Sequence, residues 1–407
     1  MRLQKIPPLT AAESFFLSAL RPAGADPAQA AAGTNDRFWH QFQTLMQAHH
    51  LGGFLFNQFR GDTWQEIVPA PILATLRQQH IQTEFRNTIF RRELHQILEA
   101  FSQRNIVPIL LKGAALNLSI YDDLGERASA DVDLLVRTDE LDLASDIMRR
   151  VGYRLDESSL DEAFYRQHHY HLIFRHEQMS WCCFELHWDL TLPLMDIRFN
   201  AAEVRERAVD TQLDGLPVQL PSPDDMLLHL SQHTGLNAFN ILAQIRDIER
   251  VIAHFPDDLD PREFWQRAER FRFLTVATVC LELASIFDTH PHRELLMRHQ
   301  PAPAPDLPLW PLIRLESILR QRALSSAAGG RAVAMLRRDR TRDRWAVLRR
   351  QIFPSQADLH LDGRGTEILA RSDRRQFSWA GLGESFRTLI LVLLARGGWE
   401  VEPVDRA

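Results

Sequence analysis

Ile106-Val107-Pro108-Ile109-Leu110-Leu111-Lys112-Gly113 and Ala130-Asp131-Val132-Asp133-Leu134-Leu135-Val136 decide the fold. The first is a short apolar run closed by a glycine, the pattern of a buried strand ending in a turn. The second alternates carboxylate with apolar residue and then becomes wholly apolar, as a strand does when one face is buried and the other starts polar. Between them, Ala114 to Ile120 has helical character, and Tyr121 to Arg127 is rich in turn formers. After them, Asp139 to Val151 reads as a helix closed by Gly152 in the left-handed conformation. Tyr170–His176 and Trp181–Trp188 then read as two strands joined by Glu177-Gln178-Met179-Ser180.

Outward from this centre the chain is helical. A segment beginning at Asp36-Arg37-Phe38-Trp39 carries Phe42, Leu45 and Met46 on one side, and Leu73 to Phe101 keeps helical spacing throughout. On the other side, Ser222-Pro223-Asp224-Asp225 is a helix start with Ser as N-cap and Pro at the first position. The helix or helix pair after it is expected to run to about Phe255, and another helix to span Phe264 to Phe287. Gln300 to Pro311 is proline-rich and reads as a linker. The expected division is a helical cap over residues 1–104, a strand-bearing core over 105–220, a helical region over 221–300, and a linker with an Arg-rich helical region over 301–407. The fold class is α+β, a small mixed sheet held between helical regions.

The composition agrees with a folded chain. Of 407 residues, 45% are hydrophobic and 25% charged, which excludes wholesale disorder. Apolar runs such as Leu389 to Ala395 are far shorter than a membrane span, so no membrane association is expected. Glu13 interrupts the early apolar stretch, so no signal peptide is expected either. The cysteines Cys182, Cys183 and Cys280 are odd in number with two adjacent, which excludes a disulfide framework and points to a reducing, cytoplasmic setting. The net charge of −6 disfavours a general nucleic-acid coat. Arg331 to Arg350 departs from that average, with eight arginines against Asp339 and Asp343. It is expected to be an exposed helix, either a solvated face or a strip for phosphates facing the same cleft as Asp131.

Asp131 and Asp133 are two apart on a strand, so both side chains leave the same face. Glu185, in Phe184-Glu185-Leu186-His187, has the same alternation on a later strand and joins them if the two strands lie together. Three carboxylates at one point repel unless hard cations neutralise them, and oxygen ligands of this kind suit Mg²⁺ or Mn²⁺. The ion-free site should therefore be strained, and removal of one acid, Asp133 for instance, should relieve it. Gly113, between strand and helix, would let backbone N–H groups approach a phosphate. Lys112 and Arg127 would add positive charge there. His168, His169, His171 and His176 cluster, His229 and His233 share a helix face, and His187 shares the Glu185 face. Zinc binding by such histidines is one reading; helix packing for His229 and His233, and substrate contact or carboxylate orientation for His187, are the others.

Leu110-Leu111-Lys112-Gly113, Arg127, the Asp131 to Val136 run, Gly152-Tyr153 and Glu185-Leu186-His187-Trp188 together resemble the uncharacterised nucleotidyltransferase family of the polymerase-beta-like superfamily. The likeness extends to Pro221-Ser222-Pro223-Asp224-Asp225 with His229 and His233, and to Arg246-Asp247. It implies transfer of a nucleoside monophosphate from an NTP to an acceptor, dependent on Mg²⁺ or Mn²⁺. It implies Asp131, Asp133 and Glu185 as catalytic and metal-binding acids, with Lys112, Gly113, Arg127 and His187 on the nucleotide side. The acceptor is open: a protein or peptide, a small molecule or an RNA end. Two departures stand out. The family's turn carries Gly-Ser or Gly-Gly where this chain has Gly113-Ala114, and 17 residues separate Gly113 from Asp131. Both bear on how triphosphate is bound, and the missing serine favours the first alternative, a catalytically weakened nucleotide-binding or regulatory protein; a further alternative is an antitoxin-like modifier of a protein partner, which would form an obligate complex.

Overall fold

The computed structural model describes residues 3–5, 7–21, 35–156, 166, 169–191, 199–287, 290–301, 315–321, 334, 338–352 and 399–401. Nine strands lie among them: β1 (Leu3–Lys5), β2 (Ile109–Leu111), β3 (Val132–Leu135), β4 (Tyr153–Leu155), β5 (His171–His176), β6 (Cys183–His187), β7 (Val209–Leu213), β8 (Leu216–Leu220) and β9 (Trp399–Val401). Strands β1 and β9 form an antiparallel pair. The other seven make one mixed sheet in the order β4-β5-β6-β3-β2-β8-β7. Its centre is β6-β3-β2, with β3 parallel to β6 and antiparallel to β2. The α+β class is as expected, with helices before and after the sheet.

β2 is shorter than the apolar run containing it because Pro108 has no N–H to donate to the ladder. Its carbonyl still accepts from the Gln219 N–H at 3.0 Å and so ties β2 to β8. β7 and β8 form a hairpin turned by Asp214 and Gly215, with φ of 50° and 86°. An Asp-Gly pair with positive φ at both residues makes the tight turn whose twist matches the strands.

The long helix Ala70–Ser102 packs on one face of the sheet. Phe90 meets Phe184 edge-on at 6.2 Å, and Tyr153 meets Phe184 at 5.2 Å. Phe184 alternates with Glu185, so this packing leaves Glu185 on the opposite face. Ahead of the long helix, Phe15, Phe42, Phe59 and Trp64 pack together in an aromatic cluster that gives the N-terminal helices their own core. The long helix also holds the turn-rich segment, since Asn87 Nδ2 donates to the carbonyls of Leu124 and Arg127 at 2.7 and 2.8 Å.

The helix Pro223–Leu236 starts on Ser222, whose hydroxyl accepts the Asp225 N–H. The continuous helix expected over Phe264–Phe287 is instead two, Pro261–Arg270 and Leu274–Ala284. The break falls at Arg272, which takes a left-handed φ of 61°. The second helix is capped from a distance: the Asp339 carboxylate accepts the N–H groups of Leu274 and Thr275 at 2.9 and 2.8 Å. Of the Arg-rich strip, residues 338–350 are described and enter the helix Thr341–Ile352. Arg338 and Asp343 are buried there, and Asp343 pairs with Arg272 at 3.5 Å. Those two therefore pack against the helical region rather than form a solvated face. The Gln300–Pro311 linker beyond residue 301, and the loops expected near Phe353 and Gly363, lie outside the described residues.

Candidate active site

The site is assembled on the face of β3 and β6 opposite the long helix. In the parallel ladder Asp133 sits beside Glu185 and Leu135 beside His187. Parallel neighbours in register point the same way, so Asp133, Glu185 and His187 emerge together. Asp131, two residues before Asp133, precedes β3 and lies near enough to Asp133, Glu185 and Lys112 to be acted on by their charges. His187 ties the acids: its Nε2 lies 2.9 Å from Asp133 Oδ1 and 3.2 Å from Glu185 Oε2. The carboxylates are thus within reach of one bridging ion. On the neighbouring strand β5, His171 stands opposite His187, with ring centroids 4.9 Å apart.

Lys112 closes the site from β2. It has a left-handed φ of 42°, which is costly for a residue with a Cβ, and its Nζ donates to Asp133 Oδ1 at 2.6 Å. The sharp turn between strand and helix is therefore made by Lys112, while Gly113 lies in the first turn of the helix Lys112–Ser119. Gly113 has another reason to be glycine. A Cβ there would stand 2.6 Å from Arg127 Nη1 and 2.8 Å from Ser129 Oγ.

Arg127 lies over Gly113 but its charge is taken. Its Nε and Nη2 both reach the Asp247 carboxylate, at 2.9 and 2.8 Å, and its Nη1 donates to Ser129 Oγ at 2.9 Å. Asp247 also accepts from the Tyr121 hydroxyl at 2.9 Å. Arg246, from the same helix, donates to Glu126 at 2.6 Å and lies 3.9 Å over the Phe54 ring. Of the 17 residues between Gly113 and Asp131, those to Ser119 continue the helix, and the segment Tyr121 to Arg127 is a braced loop held by the helix Leu242–His254 and by the N-terminal helices.

The electrostatics divide the acids. Burial alone would push Asp133 up, but Lys112 and the His187 hydrogen bond hold its carboxyl well below the usual range. Asp131 has no such compensation. Burial, then repulsion from Asp133 and Glu185, raises it to about 7, against the weaker opposing pull of Lys112 and Arg127. Burial disfavours charge on Lys112, yet Asp133 and Glu185 outweigh it and keep the ammonium above its ordinary pKa. Burial likewise disfavours charge on His187, and its hydrogen bonds to Asp133 and Glu185 turn the balance upward. His171 goes the other way, to about 2, through burial and the nearby His187 and Lys112. His229 and His233 are held neutral, His233 at about 3, by burial and then by Lys112. His229 is buried with its ring 5.9 Å from Phe199, whereas His233 is half-buried with its Nε2 3.3 Å from Asn237 Nδ2.

Asp131, Asp133, Glu185, His187, Lys112, Gly113 and Arg127 come to this region, whereas His176 lies 3.6 Å from Glu93 of the long helix and His168 lies outside the described residues. Sequence reasoning left out Ser129, Tyr121 and the clasp of Arg127 by Asp247, and named His171 only within a histidine cluster, not beside Glu185 and His187. His171 carried a usable signal, because it and His187 lie on strands expected to pair. The Arg127–Asp247 pair, 120 residues apart, carried none.

The donor set fits a divalent cation. Both protein contacts to Asp133 land on Oδ1, so Oδ2 is the oxygen left to an ion. The raised Asp131 lacks the positive charge that an ion would bring. Among the described residues no helix is long and apolar enough to cross a membrane.

A similarity to solved structures includes the antibiotic-resistance factor ANT(2'')-Ia, at 17% identity over 46% of this chain and 92% of that one, with a TM-score of 0.33. No curated protein matches. The family model described as "Uncharacterised nucleotidyltransferase" matches residues 35–287, which take in the N-terminal helices, the sheet and the helices that clasp Arg127, and the chain belongs to that nucleotidyltransferase family.

Proposed function

We propose that the protein transfers a nucleoside monophosphate from an NTP to an acceptor oxygen, with Asp131, Asp133 and Glu185 holding Mg²⁺ or Mn²⁺. The observation that carries this is the in-register pairing of Asp133 with Glu185, with Asp131 two residues before Asp133 and within reach of their charges. A bound divalent ion supplies charge neutralisation at the phosphates and positions the reacting oxygens. The chain's own groups do the rest. His187, hydrogen-bonded to both Asp133 and Glu185, fixes the two carboxylates. Lys112 supplies a permanent positive charge at the mouth of the turn. The acceptor oxygen bonds to the α-phosphorus, its proton passes to Glu185, and the bond to pyrophosphate breaks. The Arg127 clasp braces the loop over Gly113, and Ser129 brings a hydroxyl to a turn that has Ala114 where the family has serine.

The test is to incubate the purified protein with each α-labelled NTP and Mg²⁺ or Mn²⁺ in a host lysate. Label should pass to one class of acceptor, a protein, small molecule or RNA end, and Asp131→Asn should abolish it. Label carried equally by Asp131→Asn would exclude this site.

One observation favours a second reading, a nucleotide-binding protein that has lost turnover. Lys112 and Arg127 are both occupied by acids of this chain, at 2.6 and 2.8 Å. Such a protein would gain thermal stability with one NTP yet yield no labelled product with any.

A further inference from the structure

His171 is a buried imidazole, 8% exposed, whose Nδ1 has no hydrogen-bond partner. Its Nε2 points at Glu185 Oε2 but stops at 3.9 Å, beyond hydrogen-bonding distance. A ring nitrogen taken from water without a partner is costly, which leaves His171 its Nε2 as the nitrogen turned toward the site. The same Glu185 oxygen lies 3.2 Å from His187 Nε2. The ligand atoms of His171, Glu185 and His187 all lie within 4.8 Å of one another. Two ligands bound to a tetrahedral Zn²⁺ at about 2.1 Å each stand roughly 3.4 Å apart. The separations of 3.2 and 3.9 Å lie on either side of that value, so an ion would draw the three atoms together with small side-chain shifts.

The chemistry of the donors selects the ion. Mg²⁺ takes oxygen ligands and keeps much of its water, whereas paired imidazoles with a carboxylate suit the borderline transition ions. Asp133 Oδ1, 2.9 Å from His187 Nε2, adjoins the group but is already held by Lys112, so the protein donors are the two imidazoles and Glu185. The Tyr170 ring packs 4.6 Å from His171 and 5.5 Å from His187, shielding the two imidazoles from one side.

We propose that His171, His187 and Glu185, with Asp133 adjoining, bind one divalent transition ion of the Zn²⁺ and Co²⁺ class. This ion shares Glu185 with the hard cation of the proposed transfer reaction and takes the place of the His187 hydrogen bond to it, and its binding does not require that reaction to occur.

The test uses the full chain without nucleotide and Co²⁺ alone as probe. Titration should raise a visible Co²⁺ absorption band that saturates at one ion per chain and survives a large excess of Mg²⁺. His171→Gln should weaken Co²⁺ binding roughly tenfold or more, while Asp131→Asn should keep the band. No band in the unmodified protein, or a band removed by Mg²⁺, overturns the proposal even if His171→Gln does not fold. A band lost in Asp131→Asn but unchanged in His171→Gln assigns the ion to the carboxylates alone and overturns it too. Because no NTP is present, failure of nucleotidyl transfer leaves these outcomes unaffected.

Discussion

Asp131 and Asp133 share a strand face and differ in sign. The strain expected of three clustered acids concentrates on Asp131, because Lys112 and His187 both compensate Asp133. A carboxyl whose folded pKa lies above its unfolded value destabilises the fold once ionised. For Asp131 that cost is absent below the unfolded value of 3.8, grows through the window, and is complete above about 7. Without added metal, Asp131→Asn should therefore stabilise the protein near pH 8 by roughly 2 to 4 kcal/mol, and by almost nothing near pH 4. Urea unfolding at the two pH values measures this; an equal shift at both would remove the electrostatic cause. Asp133→Asn should do the reverse, costing roughly 3 to 5 kcal/mol by leaving a buried Lys112 charge unpaired. Gly113→Ala should cost about 1 to 3 kcal/mol, because the Arg127 guanidinium in its way is pinned by Asp247. In an Asp247→Asn background the guanidinium can yield, so a double-mutant cycle should show a smaller cost there. Additive effects would mean that the contact at Gly113 is relaxed by something else.

At the scale of elements, what could be read in the sequence was whatever is local. The phase of Asp131 and Asp133 follows from the two-residue period of a strand. The start of the helix Pro223–Leu236 follows from Ser222-Pro223. The β7–β8 hairpin was missed, although Asp214-Gly215 is the pair such a turn requires, because polar residues on both strands masked their alternation. The parallel pairing of β3 with β6 was not legible, because nothing in either strand names its partner across some fifty residues. Nor was the break at Arg272, where the apolar pattern continues and a carboxylate from Asp339 supplies the new helix start. That cap gives an element-scale prediction. Asp339→Ala should destabilise the protein by about 0.5 to 2 kcal/mol, and Asp339→Asn by less, because the amide oxygen still accepts the two N–H groups. If both substitutions cost the same, charge rather than hydrogen bonding makes the cap work.

At the scale of the whole molecule, the helical regions and the sheet meet through the loop over Gly113. Asp123 accepts from Asn57 at 2.8 Å and from His80 at 2.9 Å, both in the N-terminal helices. Four residues on from Asp123, Arg127 ends the segment in the Asp247 clasp from the other side of the chain. A ligand that settles against Lys112, Gly113 and Ser129 would therefore restrain a segment already bonded to both helical regions. Mg²⁺ with the correct NTP at a hundred times its dissociation constant should stabilise the protein by about 2.7 kcal/mol through mass action, and Asp131→Asn far less. The distribution of that stabilisation tests the linkage. Hydrogen exchange should slow in the helices Gly52–Phe59 and Leu242–His254 as well as around β3 and β6. His80→Ala, which removes one bond to Asp123, should shrink the protection in Gly52–Phe59 while leaving that in β3 and β6. Protection confined to the sheet in the unmodified protein would mean that the loop is a passive connector and that the N-terminal helices only cover the core.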